Sequence, residues 1–187
     1  MLWTAGVQFF RRKKLRVEEE IVILAGGFGP RLRSVLGDIP KPLAPVQGKP
    51  FLYYLLEQLR VQGVRRVILS LHHMADQLVK FGHDYAREHA IILRYVIEPR
   101  PLGTGGALRY AIRECGIEGP IFACNGDTYL TGGIAELRAA DPPARHFTIG
   151  LVEVVNTERY GAVQYEPALG RISSFSEKTA SAGRGSI

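Results

Sequence analysis

Ile21-Val22-Ile23-Leu24 runs without a break into Ala25-Gly26-Gly27-Phe28-Gly29-Pro30-Arg31-Leu32-Arg33. A four-residue apolar run bounded by glycines fits a strand buried on both faces, as in a parallel sheet. Downstream, Pro40-Lys41-Pro42-Leu43-Ala44-Pro45 cannot be helix interior, because each proline ring removes an N–H and clashes with the preceding turn. Leu52, Leu55, Leu56 and Leu59 recur at helical spacing, which predicts a helix over Phe51–Gln62 ended by Gly63. Val67-Ile68-Leu69 reads as a second strand and Ala75–Phe81 as a short helix. Ile91–Ile97 is a third strand, Thr104–Cys115 a helix and Ile121-Phe122-Ala123-Cys124 a fourth strand. Gly133–Ala140 reads as a helix and His146–Val154 as a fifth strand.

Strands alternating with helices describe an α/β domain with a largely parallel sheet. Such sheets bind ligands at the carboxyl ends of their strands. The glycine loop after the first strand and the loop after Cys124 both fall there. Past Val154 the pattern changes to short β pieces, Ala162–Tyr165 and Arg171–Phe175. Ser181-Ala182-Gly183-Arg184-Gly185-Ser186 is small and polar, with no helix or strand signal. The chain therefore reads as an N-terminal extension (1–19), one domain (20–180) and a tail (181–187).

Composition bounds the rest. With 187 residues, 46% hydrophobic and 22% charged, the chain is too apolar to be disordered and long enough for a sizeable core. No apolar run approaches the roughly 18–20 residues of a membrane helix. Two cysteines, Cys115 and Cys124, are too few for a disulfide framework. They indicate a reducing compartment, hence the cytoplasm. The net charge is +6, and five positive residues lie in Arg11, Arg12, Lys13, Lys14 and Arg16. Glu18, Glu19 and Glu20 offset three of these, so the segment reads as solvated. A nucleic-acid partner would need a basic face beyond one short run and is not expected. The apolar stretch Met1–Phe10 precedes the positive charges, the reverse of a signal peptide.

The glycine loop is neither of two common phosphate binders. A P-loop needs a leading glycine, four residues and Gly-Lys-Ser/Thr, but Gly48-Lys49 is followed by Pro50 and has no such glycine before it. A dinucleotide fingerprint needs Gly-x-Gly-x-x-Gly, but Gly27-Phe28-Gly29 is followed by Pro30, Arg31 and Leu32. What remains is a loop whose glycines let backbone N–H groups approach phosphate oxygens. Arg31 and Lys41 can neutralise charge on the same phosphates.

Leu24–Leu32 followed by Pro40-Lys41 resembles the signature of sugar-1-phosphate nucleotidylyltransferases. Glu98-Pro99-Arg100-Pro101-Leu102-Gly103-Thr104-Gly105-Gly106-Ala107, Asn125-Gly126-Asp127, Arg159-Tyr160-Gly161 and Glu177-Lys178 follow in that family's order. The resemblance covers about Glu20 to Lys178. Asp38-Ile39-Pro40-Lys41-Pro42-Leu43-Ala44-Pro45-Val46 and Pro101–Ala107 look most like D-glycero-D-manno-heptose 1-phosphate guanylyltransferases. Mannose 1-phosphate guanylyltransferases and N-acetylmuramate 1-phosphate uridylyltransferases, the latter using UTP, share much of this wording.

The resemblance implies a three-layer α/β/α, Rossmann-like nucleotide-diphospho-sugar transferase fold. It implies that a sugar 1-phosphate attacks the α-phosphorus of a nucleoside triphosphate, GTP favoured, and that pyrophosphate leaves. Leu24, Ala25, Gly26, Gly27 and Gly29 would lie along the nucleotide. Arg31 would stabilise the leaving pyrophosphate, Lys41 the α-phosphate, and Asp127 would hold Mg²⁺. Glu98, Gly103 and Thr104 would border base and ribose. Tyr160, Gly161, Glu177 and Lys178 would hold the sugar phosphate. One physical hint favours guanine: a carboxylate at position 98 could accept from two of its N–H groups, whereas uracil offers one.

Simpler readings stand beside these. Gly26, Gly27 and Asp127 could serve turns, Lys41 could be an exposed loop charge, Glu98 could be a surface polar residue, and Tyr160 could pack. His72 and His73 lack metal-ligand spacing and read as loop residues. Cys115 and Cys124 read as core. Two departures from the family pattern bear on activity. Pro30 replaces the usual Thr, and the chain stops at Ile187 before the family's second metal-binding Asp. On that basis a C-terminally truncated form would bind nucleotide with little turnover, or act as a nucleotide-binding or regulatory module. Homo-oligomerisation is left open.

Overall fold

The computed structural model describes residues 20–27, 37–129, 134–140, 148–154, 161–166, 168–176 and 185–186. The chain divides into two compact units, with the division after Glu136.

In the first unit, β1 (Glu20–Leu24) is followed by a 3₁₀ turn at Lys41–Leu43 and a small hairpin, β2 (Pro45–Val46) and β3 (Lys49–Pro50). Next come α1 (Phe51–Val61), β4 (Arg66–Leu71), α2 (Ala75–Glu88), β5 (Ile92–Ile97), α3 (Gly103–Cys115) and β6 (Phe122–Asn125), while α4 (Ile134–Ala140) runs across the division. The main sheet has the order β5-β4-β1-β6, with every pairing parallel.

Alternation along the strands makes the layers. Ile21, Ile23, Val67, Leu69 and Leu71 point to one face and pack with Leu52, Leu55, Leu56 and Leu59 of α1 and Leu78 and Tyr85 of α2. Val22, Ile68 and Val96 point to the other and meet Ala111 of α3. Both faces are covered, as a parallel sheet requires. Each fully buried Leu or Ile contributes about 1.5–3 kcal/mol. The α/β/α fold with its mainly parallel sheet is as the sequence leads one to expect.

Helix α2 is longer than its sequence signal. It continues past Phe81 because Leu78, Gly82 and Tyr85 share one buried face. Gly82 serves close packing there: a Cβ would lie 2.6 Å from the Tyr95 hydroxyl.

The second unit holds β7 (Glu153–Val154), β8 (Ala162–Glu166), β9 (Arg171–Ser176) and β10 (Gly185–Ser186), in the order β7-β10-β8-β9 with antiparallel pairings. Two expectations are corrected. The strand expected over His146–Val154 shrinks to Glu153–Val154 among the described residues, and it pairs with β10. The stretch lacking strand signal contributes β10, which pairs with Glu153 and Val154 of β7 and with Val163 of β8. Two-residue strands carry no periodicity, so nothing local marks them.

Candidate active site

Three parallel strands deliver their carboxyl ends to one edge. In register, Leu24 of β1 lies beside Ser70 of β4 and Asn125 of β6. The glycine loop leaves the sheet held on both sides. Ala25 N donates to Ser70 O at 2.8 Å, and Gly126 N donates to Leu24 O at 2.8 Å. Glycine at position 126 suits this close approach. A Cβ there would lie 3.0 Å from Ala25 Cβ and 3.1 Å from Leu24 O. The Asn125-Gly126-Asp127 turn is thereby pressed against the end of β1.

Lys41 reaches the same place from the proline-rich segment. Pro40 takes an extended conformation, and Leu43 N donates to Pro40 O at 2.8 Å, closing the 3₁₀ turn. Pro42 is buried and anchors it. From this turn Lys41 Nζ donates to Asp127 Oδ2. The two side chains are 40% and 35% exposed. Ion pairs this wet contribute only about 0–1 kcal/mol, so a phosphate or a metal ion can separate them.

Behind the loop lies a buried polar group. Ser70 and Glu98 are the buried polar side chains among the described residues, Glu98 being 6% exposed. Ser70 Oγ donates to Glu98 Oε1 at 3.3 Å, and Leu102 N donates to Oε2 at 3.1 Å. Glu98 N donates to Leu71 O at 2.7 Å, and His72 Nδ1 lies 2.9 Å from Glu98 O. Gly26 abuts this carboxylate: a Cβ would sit 2.9 Å from Oε1 and 3.1 Å from His72 N. Any side chain at position 26 would therefore collide with Glu98 or the His72 backbone. Gly27, by contrast, is exposed with open space where a Cβ would be.

The structure thus gathers Leu24, Ala25, Gly26, Gly27, Lys41, Glu98 and Asp127 at one edge. Gly103 has φ +71, a conformation that favours glycine, and with exposed Thr104 it opens α3 next to the Leu102 N–H bound by Glu98. Gly161 belongs to the second unit and has a packing reason: a Cβ would lie 3.1 Å from Ser176 O across the β8–β9 hairpin. Gly29, Arg31, Tyr160, Glu177 and Lys178 lie outside the described residues, as does the basic run Arg11–Arg16.

Sequence reasoning missed Ser70 and His72, and it quoted Gly126 only as part of the Asn125–Asp127 motif. The usable signal for Ser70 was a hydroxyl inside the apolar run Val67–Leu71, since a buried polar group needs a partner. His72, read as a loop residue, bonds the backbone of Glu98. Both cysteines are free thiols, and burial pushes Cys124 up to about 11, an inert value for a nucleophile.

Among the described residues no cluster of three or more His, Cys, Asp or Glu side chains forms. Of the two carboxylates at the edge Glu98 is buried, whereas Asp127 is partly exposed, with the Thr128 hydroxyl 3.5 Å from its Oδ1. One hard oxygen donor fits Mg²⁺ that keeps waters and shares substrate phosphates. No helix among the described residues is long and apolar enough to cross a membrane.

Known proteins bear on this edge. The family described as nucleotidyl transferase matches residues 20–183. D-glycero-alpha-D-manno-heptose 1-phosphate guanylyltransferase of Aneurinibacillus thermoaerophilus is 39% identical over 164 residues, covering 85% of this chain and 67% of that protein. The mannose-1-phosphate guanylyltransferase catalytic subunit beta of Xenopus tropicalis is 36% identical, and the match spans 84% of this chain but 44% of that protein. The crystal structure of HddC from Yersinia pseudotuberculosis complexed with GMP-PN superposes with a TM-score of 0.73 at 38% identity, covering 90% of this chain and 73% of that one. With the motifs gathered at the carboxyl edge and most of its length matched, this chain belongs to the nucleotidyl transferase family.

Proposed function

We propose that the protein joins a sugar 1-phosphate of heptose or mannose type to GTP, giving a GDP-sugar and pyrophosphate. The observation that carries this reading is the meeting of Lys41 and Asp127, 86 residues apart, beside the glycine loop. The names of the relatives at 39% and 36% identity support the guanine nucleotide and the sugar classes.

In this reading an oxygen of the sugar 1-phosphate attacks the α-phosphorus of GTP, the α–β bridging bond breaks, and pyrophosphate leaves with the electron pair. The protein's task is positioning and charge stabilisation. Gly26, Gly27 and Gly29 bring backbone N–H groups to the triphosphate, and Arg31 neutralises the leaving pyrophosphate. Lys41 leaves Asp127 and turns to the α-phosphate, where negative charge gathers. Asp127, released from Lys41, would hold Mg²⁺, which when bound supplies Lewis-acid neutralisation of phosphate charge. Leu24, Ala25, Gly103 and Thr104 flank the nucleoside, and Glu98 faces the base. Tyr160, Gly161, Glu177 and Lys178 take the sugar phosphate.

The test is pyrophosphate release with each of GTP, ATP, CTP and UTP, paired with heptose 1-phosphate, mannose 1-phosphate or N-acetylmuramate 1-phosphate. Release with GTP and one of the first two sugars is expected. Release with another nucleotide alone removes the guanine assignment, and silence with every pair removes the transferase.

A further inference from the structure

We infer that Ser70 is a specificity-positioning residue, which fixes the Glu98 carboxylate so that its remaining acceptor directions match guanine. The inference rests on the guanine-nucleotide reading above and extends it to a residue that does not touch the base.

Ser70 is an anomaly of β4. The strand is apolar over Val67, Ile68, Leu69 and Leu71, and Ser70 is as fully buried as they are. A hydroxyl costs free energy in such a place unless it is bonded. Its bond goes to Glu98 Oε1 at 3.3 Å, long for a hydroxyl on a carboxylate. The oxygen is therefore held but not saturated. Leu102 N holds the other oxygen at 3.1 Å. Each oxygen has one protein donor, and an ionised carboxylate has about four acceptor directions, so one direction per oxygen remains.

Gly26 determines whether Oε1 can be approached. A side chain there would fall 2.9 Å from Oε1, so only glycine leaves that flank clear. The backbone of Glu98 is meanwhile tied to Leu71 O and His72 Nδ1. Glu98 is thus tied through its backbone and through one donor on each carboxylate oxygen.

Two adjacent acceptors fit two adjacent donors. Guanine offers N1–H and the 2-amino group next to each other. Uracil offers one N–H between two carbonyls, and adenine and cytosine set a ring acceptor beside their amino group, so a fixed carboxylate meets at least one acceptor in each. In a dry setting that mismatch is penalised more heavily than in water. Removing the Ser70 hydroxyl leaves Oε1 without its partner and lets the carboxylate turn about its last bond. Discrimination then falls, while the triphosphate contacts at Gly26, Lys41 and Asp127 are untouched.

Calorimetric titration with GTP and ITP in Mg²⁺ tests this, because ITP lacks only the 2-amino group. Wild-type protein should bind GTP about tenfold or more tighter than ITP, as for one lost hydrogen bond to a charged group. Ser70→Ala should bring the two within about twofold, with ITP affinity changed less than about threefold. Ser70→Thr, which keeps the hydroxyl, should restore the preference. If Ser70→Ala does not fold, Ser70→Cys keeps the volume with a weak donor and should lower the GTP:ITP ratio by at least about threefold. A ratio unchanged in Ser70→Ala or Ser70→Cys, or a wild type indifferent between GTP and ITP, overturns the inference alone. A wild type that binds no nucleoside triphosphate overturns the reading beneath it.

Discussion

Two neighbouring glycines differ in what surrounds them. Gly26 faces Glu98 Oε1 and the His72 backbone, whereas Gly27 faces open space. Gly26→Ala should therefore lower stability by about 1–3 kcal/mol, the usual cost of overpacking, and weaken GTP binding. Gly27→Ala should shift the melting temperature little, and thermal melts of the two variants side by side decide it. Lys41→Ala should cut pyrophosphate release by about 10²–10³, the loss typical of one electrostatic contact made in the transition state. Gly26 and Lys41 stood out in the sequence because each sits in a short motif whose chemistry is local, whereas Asp127 was singled out only through family resemblance. Ser70 and His72 were not. Their significance comes from Glu98, 28 and 26 residues away, and exists only once β4 and β5 lie side by side.

The contact between α1 and α2 is sensitive to acid through Glu57. Glu57 of α1 accepts from Arg60 Nε and Nη2 at 3.0 and 2.7 Å, and from the Tyr85 hydroxyl of α2 at 2.6 Å. The guanidinium of Arg60 is the chief reason the Glu57 carboxyl is held down to about 2, with Tyr85 adding and burial opposing. A carboxyl whose value is depressed on folding stabilises the fold above its unfolded value of 4.5 and loses that contribution as pH falls toward about 2. Wild-type protein should therefore lose melting temperature through that window, and Glu57→Gln should flatten part of the loss in calorimetry. The far end of the sheet offers a control. Glu20 opens β1 and accepts from Arg66 Nε of β4 at 3.1 Å and Arg94 Nη1 of β5 at 3.3 Å. Glu20→Gln should cost about 1–3 kcal/mol in urea unfolding and leave GTP affinity unchanged, because the candidate site lies at the opposite ends of these strands. The long elements were legible from apolar spacing: the four leucines of α1 and the runs of β1 and β4. Strands β2, β3, β7 and β10 were not, since two residues cannot show a period and only their partners define them.

For the molecule as a whole, ligand binding and folding are linked. A ligand that binds the folded state alone stabilises it by about 2.7 kcal/mol at a hundred times its dissociation constant. GTP with Mg²⁺ should accordingly raise the melting temperature more than ATP, CTP or UTP, and equal shifts from all four would remove the guanine preference. The order of strands and helices was readable because burial on both faces of the sheet imposes continuous apolar runs on β1 and β4. Unlike that order, the juxtaposition of Lys41 with Asp127 was expected only through family resemblance; its physical cause is the close approach of Gly126 to Leu24. In the proposed function a guanine nucleotide binds and reacts at this carboxyl edge. A crystal structure of the protein with Mg²⁺ and a non-hydrolysable GTP analogue tests it most directly. The triphosphate should lie against Gly26 and Gly27, with Lys41 turned from Asp127 to phosphate, the metal ion on Asp127, and the base edge on Glu98. Nucleotide bound elsewhere, with the Lys41–Asp127 pair intact, would contradict the account.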